Sequence, residues 1–340
     1  MKVLIAGGAG FIGSTVASAL LDGGHQPVIL DNLVTGRREF CDGRPFYQGD
    51  IADRPLLDRI LDEHPDIAAV VHCAALIVVP ESVRRPIHYY RANVAKTLDF
   101  VDHLIGRGVT RLLFSSSASI YQPGDDFSVD EDSPLEATSP YARTKLVDEQ
   151  MLADISAATP LRTLSLRYFN PIGADPKMRT GLQVATPTHA LGKLVQAYRT
   201  GEPFTVTGAD YPTRDGSGIR DYVHVWDLAA AHVRALEVFD TLFEGDRPPY
   251  LVINLGTGTG TTVREFVDAF NSVVDAPVAV TVGPRRPGDS AGAYTRSTRA
   301  AELLGWHAMH TVDDGIRDTL AWFDQRATVL PDLGGATPTA

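Results

Sequence analysis

The residues best suited to chemistry are a tyrosine and a lysine four positions apart, in Tyr141-Ala142-Arg143-Thr144-Lys145. Four residues is one helical turn, so both side chains fall on one face. An ammonium beside a phenol favours the phenolate. The pair therefore reads as a general base able to take a proton from a hydroxyl while hydride leaves the same carbon. Ser115-Ser116-Ser117 closes an apolar run upstream, where Ser117 would hold that hydroxyl or relay its proton. A hydride needs an acceptor, and the sequence offers a place for one. Gly7-Gly8-Ala9-Gly10-Phe11-Ile12-Gly13 follows the first apolar run directly and opens a helical pattern. Gly7 suits a tight turn, Gly10 lets backbone approach a pyrophosphate, and Gly13 lets helix and strand pack closely. Asp31 ends the next apolar run, where a carboxylate accepts both hydroxyls of an adenosine ribose and repels a 2′-phosphate. NAD is therefore expected rather than NADP. Arg37 and Arg38 nearby read as a solvated turn, and Asp50, after a third run, could meet the adenine amino group.

Positioning these groups requires a particular scaffold. Apolar, β-branched runs at 2–6, 27–30, 68–72, 111–114 and 161–167 alternate with helical patterns at 12–21, 55–63, 83–105 and 142–154. Strands apolar throughout and flanked by helices imply a parallel sheet buried on both faces. The expected fold is α/β, a doubly wound parallel sheet of Rossmann type with a smaller mixed α/β C-terminal lobe. Residues 1–170 would form the dinucleotide-binding domain, its sheet completed by a later strand at 251–254. Residues 171–330 would form mainly the substrate lobe, and 331–340 a mobile tail.

Composition narrows the partners. The 340 residues carry 31 Lys and Arg against 42 Asp and Glu, a net charge of −11. Such a balance argues against a nucleic-acid backbone or an anionic membrane surface. Two cysteines, Cys41 and Cys73, make no disulfide framework, and no CxxC pair suggests a metal. The opening MKVLIAGG is too short for a signal peptide or a membrane span, so a cytoplasmic protein is expected.

The glycine loop, Ser117 and Tyr141-x-x-x-Lys145 together resemble the extended short-chain dehydrogenase/reductase superfamily. More narrowly, the chain is similar to UDP-glucose (UDP-galactose) 4-epimerases. The resemblance rests on SSSASIY at 115–121, SPYARTKL at 139–146 and LRYFNPIG at 166–173. ESVRRPIHYYRAN at 81–93, DYPTRDGSGIRDYVHVWD at 210–227 and RRPGD at 285–289 also match. It implies an NAD-dependent nucleotide-sugar 4-epimerase acting through a transient 4-keto sugar, with Ser117, Tyr141 and Lys145 as catalytic residues. Cofactor contacts are implied for Gly7, Gly10, Phe11, Ile12, Gly13, Asp31, Asn32 and Gly36. They extend to Asp50, Ile51, Cys73, Ala74, Ala75, Asn93, Ser115, Tyr141, Lys145 and Tyr168, with Asn93 near the diphosphate and Tyr168 by the carboxamide. For the UDP-sugar, the resemblance implies Asn170 near the phosphates and Arg220 and Arg286 on the pyrophosphate. Asp289 would take the ribose, His189 and Ala190 the uracil pocket, and Ser117, Tyr141, Phe169 and Ala293 the remaining contacts. A homodimer is implied too, formed through helices at 93–105 and 142–154.

Two departures bear on activity. The family's AGLKAV stands here as Ala74-Ala75-Leu76-Ile77-Val78-Val79, so Ile77 replaces a lysine that reaches the NAD ribose. Ala293 falls where galactose-restricted epimerases carry a bulky tyrosine, which implies room for an acetamido group and turnover of UDP-GlcNAc/UDP-GalNAc beside UDP-Glc/UDP-Gal. The alternatives are a UDP-uronate epimerase or decarboxylase, a 4,6-dehydratase and a non-catalytic NAD-sensing regulator. Dehydration needs an acid–base pair after Ser117, where Ala118 and Ser119 stand instead. The regulator would not need both Tyr141 and Lys145.

Overall fold

The computed structural model describes residues 1–286, 288 and 290–333. Its framework alternates strand and helix: β1 (Lys2–Ala6), α1 (Phe11–Asp22), β2 (Gln26–Asp31), β3 (Phe46–Gln48), α2 (Arg54–Glu63) and β4 (Ile67–His72). It continues through α3 (Lys96–Gly106), β5 (Arg111–Ser117), α4 (Pro140–Ala158) and β6 (Arg162–Tyr168). The C-terminal half adds α5 (Ala190–Thr200), α6 (Val225–Glu237), β7 (Tyr250–Leu255), α7 (Val263–Val273) and α8 (Val312–Val329). Seven strands form one sheet in the order β7-β6-β5-β4-β1-β2-β3, and every pairing is parallel. The sheet is therefore doubly wound, with the strand order turning back between β1 and β4.

Strand alternation explains how one sheet supports two cores. Val3, Ile5, Ile29, Val71 and Leu166 face α1 and α6. Leu4, Ala6, Val28, Val70 and Leu112 face α2, α3 and α4, meeting Leu57, Phe100 and Leu152. A third core fills the C-terminal lobe, where Trp322 of α8 meets Phe40 and Phe270 is buried against α5. Helix starts follow side-chain chemistry. Asp53 accepts from the Leu56 amide at 3.2 Å, and Thr262 with Glu265 and Thr311 with Asp314 form reciprocal caps.

One expected element divides. The single helix anticipated over 83–105 breaks into short helices Val79–Arg84 and Pro86–Tyr89, a π turn over Tyr90–Ala95, and α3. Pro86 has no N–H to donate and restrains Arg85, which leaves the helical region at φ −133°, ψ 53°. The π turn beyond it places Asn93 inside the fold. At the other end, residues 331–333 form a short 3-10 turn, and Asp332 pairs with Arg37 at 2.5 Å. Residues 334–340, the rest of the expected tail, lie outside the described residues.

Candidate active site

The glycine loop joins the end of β1 to α1. Gly7 has φ +80°, and a Cβ there would stand 2.5 Å from the Ala74 nitrogen, so two loops touch across the point where strand order turns back. A Cβ on Gly13 would lie 2.3 Å from the Gly7 carbonyl. Gly10 differs: its front is open, with only the Gly7 carbonyl within 3.5 Å. No side chain caps α1, so its first-turn amides at Phe11, Ile12 and Gly13 sit behind that open space with their positive dipole end exposed. Asp31 closes the far side. It is buried and accepts from Ala9 N at 3.0 Å and Leu33 N at 2.8 Å. Burial pushes its carboxyl above the usual range, and those two amides pull it back. A Cβ on Gly36 would strike an Asp31 oxygen at 2.7 Å, so the loop passes directly over the carboxylate. An open glycine front, an uncapped helix end and a ribose-height carboxylate fit a dinucleotide.

Other expected cofactor residues surround this cradle in varied roles. Asp50 pairs with Lys96 at 2.5 Å and accepts from Ala52 N at 3.0 Å. Burial raises its carboxyl, but Lys96, Ala52 and Asn32 more than offset that, for a net lowering. Ile51 is buried in the core, and Cys73 lies half-buried at the end of β4, beside Ala74 and Ala75. Burial pushes the Cys73 thiol up to about 12, so it stays a thiol. Asn93 is held firmly within the chain. Its amide donates to Leu76 O and Thr144 Oγ1, both at 3.0 Å, and accepts from Leu76 N at 2.9 Å. Both N–H groups are engaged within the chain, and they tie the 74–78 loop to α4. Tyr168 is likewise engaged: its hydroxyl donates to His232 Nε2, while His232 Nδ1 donates to Leu228 O at 2.7 Å.

The chemical residues meet at the carboxyl end of β5. Ser139 caps α4 by accepting from Ala142 N at 3.1 Å, and Pro140 supplies the first-turn φ. That start sets Tyr141 at the helix mouth and Lys145 one turn deeper. The buried Lys145 donates to Ser115 O at 2.8 Å and lies 4.6 Å from the Phe114 ring. Burial lowers its pKa, while Asp148, Cys73 and Glu149 raise it. Burial pushes the Tyr141 phenol up, the Ser117 hydroxyl pulls it back, and Asp148 pushes it further. Ser117 also donates to Ser119 Oγ at 2.9 Å. Sequence reasoning missed what lies beneath. Glu149 accepts from Ser116 Oγ at 2.5 Å and from Arg167 at 2.6 and 2.9 Å. Arg167 donates to Tyr121 at 2.7 Å, and Tyr121 donates to Asn254 at 2.7 Å. The signal available was Glu149 following Lys145 by four positions and Arg167 preceding Tyr168.

The C-terminal lobe brings its residues over this edge. Asn170 follows β6 and begins a strand paired with Tyr222–His224. Ala293 packs against the cluster of Tyr121, Val129 and Phe169, as does Ala118, the neighbour of Ser117. The neighbouring carboxylate of Arg220, Asp221, is buried and accepts from Thr257, Gly258 and Thr295. Arg220 itself donates to Ile219 O and Ala291 O, both at 2.7 Å, leaning across the chain segment that precedes Ala293. His189 immediately precedes α5, next to Ala190, and its imidazole pKa is lowered by the surrounding protein and by the Arg286 charge. Asp289 lies outside the described residues. Among the described residues, no cluster of three His, Cys, Asp or Glu is placed to hold a metal, and no helix is long and apolar enough to cross a membrane.

Comparison with known proteins agrees with this geometry. Residues 3–256 match the model of the NAD dependent epimerase/dehydratase family. A UDP-glucose 4-epimerase of Azospirillum brasilense is 42% identical over 324 residues, covering 94% of this chain and 91% of that one. A crystal structure of UDP-glucose-4-epimerase from Stenotrophomonas maltophila, with bound NAD and formylated UDP-arabinopyranose, superposes with a TM-score of 0.89 at 38% identity. It covers 97% of this chain and 99% of that one. The Brucella ovis UDP-glucose 4-epimerase in complex with NAD gives 0.87 at 38% identity, covering 95% and 98%.

Proposed function

The chain belongs to the NAD dependent epimerase/dehydratase family, and from that premise we propose that it is an NAD-dependent UDP-sugar 4-epimerase. It interconverts UDP-Glc and UDP-Gal, and UDP-GlcNAc and UDP-GalNAc. The observation that carries the reading is the meeting of Ser117, Tyr141 and Lys145 at one sheet edge, beside an open glycine cradle. NAD, held by the Gly7–Gly13 loop and Asp31, supplies a hydride acceptor that returns what it takes. Tyr141 removes the 4-hydroxyl proton and later gives it back. Lys145 keeps positive charge close to the developing phenolate, and Ser117 holds the sugar oxygen in line. Arg220 and Arg286 anchor the pyrophosphate while the 4-keto sugar turns its other face, with Asn170 and Asp289 on the nucleotide side. His189 and Ala190 border the uracil, and Phe169 and Ala293 border the sugar. Net redox is zero, so no second substrate is required.

Residues 171–330 supply most of the sugar-nucleotide lobe. The enzyme works in the cytoplasm as a homodimer. Leu98 of α3 and Val147 of α4 support that pairing, being 46% and 36% exposed on the two helices assigned to it. The unpaired Cys41 and Cys73 suit a reducing compartment. The test is proton NMR of purified protein with UDP-Gal and UDP-GalNAc and no added NAD. Conversion of both to the gluco forms is expected. Conversion of UDP-Gal alone removes the N-acetyl substrates, and conversion of neither, with or without added NAD, overturns the assignment.

A further inference from the structure

Behind the catalytic pair lies a carboxylate that nothing above has used. Asp148 stands three positions after Lys145 on the same face of α4 and is fully buried. Neither of its oxygens has a hydrogen-bond partner among the described residues. Buried carboxylates are almost always hydrogen-bonded or ion-paired, because an unmet one loses its hydration for nothing in return. Glu149, the next residue, shows the usual solution with its three donors. At Asp148 burial is opposed instead by the Lys145 charge, about one helical turn away.

The groups facing this spot come from several elements. Tyr141 and Glu149 lie on α4 itself. Cys73 and His72 face Lys145 from the end of β4. Arg167 on β6 is already matched by Glu149, and Tyr89, beside Glu81, faces Tyr141 from the short helices. His72 does not enter the relevant range, since burial and then Lys145 push its pKa down to about 3. Among the described residues, Lys145 therefore has one nearby carboxyl that is not consumed by another cation, and that carboxyl is Asp148.

We propose that Asp148 is a positioning residue for the epimerase reaction, its buried carboxyl holding Lys145 in the ammonium form beside Tyr141. The proposal rests on the assignment of Tyr141 and Lys145 above. Burial of Lys145 favours the neutral amine, which could not stabilise a phenolate. An anionic Asp148 opposes that loss. Burial pushes Asp148 itself up to about 7, against the pull of Lys145, so the support operates above neutrality and fades below it. The arrangement also weakens the fold. An acid whose folded pKa is raised binds its proton more tightly folded than unfolded, so its penalty grows as pH climbs from 3.8 towards 7 and is complete above.

Both consequences are measurable with Asp148→Asn and Asp148→Leu, compared with the wild type. In kcat/KM for UDP-Gal against pH, the variants should match the wild-type profile below about pH 6. Their alkaline limb should fall earlier, by about one pH unit. Melting temperature, the second readout, should be higher than wild type at pH 8.5, by a margin that shrinks at pH 5. If Asp148→Leu fails to fold, Asp148→Asn carries both readings. An unmoved alkaline limb, or lower melting at both pH values, overturns the proposal. An inactive wild type would instead overturn the epimerase reading, so the two failures are distinct.

Discussion

Glu149→Gln should destabilise the protein severely while leaving its outline intact. The Glu149–Arg167 pair is bidentate, and both side chains are at most 5% exposed. Removing one charge leaves the guanidinium buried without a counterion, which costs about 3–5 kcal/mol. With an unfolding entropy of roughly 2.1 cal/mol/K per residue over 340 residues, that loss lowers the melting temperature by about 4–7 °C. Differential scanning calorimetry reads it directly. The double variant Glu149→Leu with Arg167→Met removes both charges and should recover part of the melting temperature, since apolar replacement of a buried pair is often neutral or better. Turnover should not recover with it. Glu149 also holds Ser116, and Arg167 holds Tyr121, so the chain around Ser117 loses both anchors. A Glu149→Gln melting temperature within about 1 °C of wild type would refute the assignment of a buried, uncompensated charge. Full turnover in the double variant would show that the pair only fastens the sheet.

Tyr141→Phe should retain NAD, read by absorbance after denaturation, yet lose turnover by about 10²–10⁴-fold; wild-type activity would refute the assignment of the base. Ala293→Tyr should abolish turnover of UDP-GalNAc while sparing UDP-Gal, and equal loss of both would defeat the pocket argument. Ile77, 49% exposed in the loop after β4, has no charge to offer a ribose. Ile77→Lys should therefore raise the NAD retained through purification, measured per protomer, and no gain would detach that position from the cofactor.

Local pattern carried much of the fold. β1 was legible residue for residue because the apolar run Val3–Ala6 is bounded by Lys2 and by the glycine loop, and β7 was found to within one residue at each end. The glycine loop and the Tyr141–Lys145 spacing were legible for the same reason, being local geometry. What sequence hid depends on the far side of each helix. The buried face of α4 is polar, with Thr144, Lys145, Asp148 and Glu149 all inside, so its pattern reads as a solvated surface. The sheet on one side, and the π turn with the short helices before it on the other, make that face interior. The tie that Asn93 makes was hidden because its partners, Leu76 and Thr144, are distant in sequence. Nor does a pattern distinguish a long helix from one that Pro86 interrupts and a π turn resumes.

The strand order also governs how the chain must be made. β6 is complete at residue 168, but its outer partner β7 is not synthesised until residues 250–255, with the segment 169–249 made in between. In the interval β6 presents a bare parallel edge, the kind of surface on which unfinished chains aggregate. Translation rate between these two strands therefore sets how long the nascent protein carries its greatest hazard, and a chain truncated just before residue 250 would keep that edge permanently.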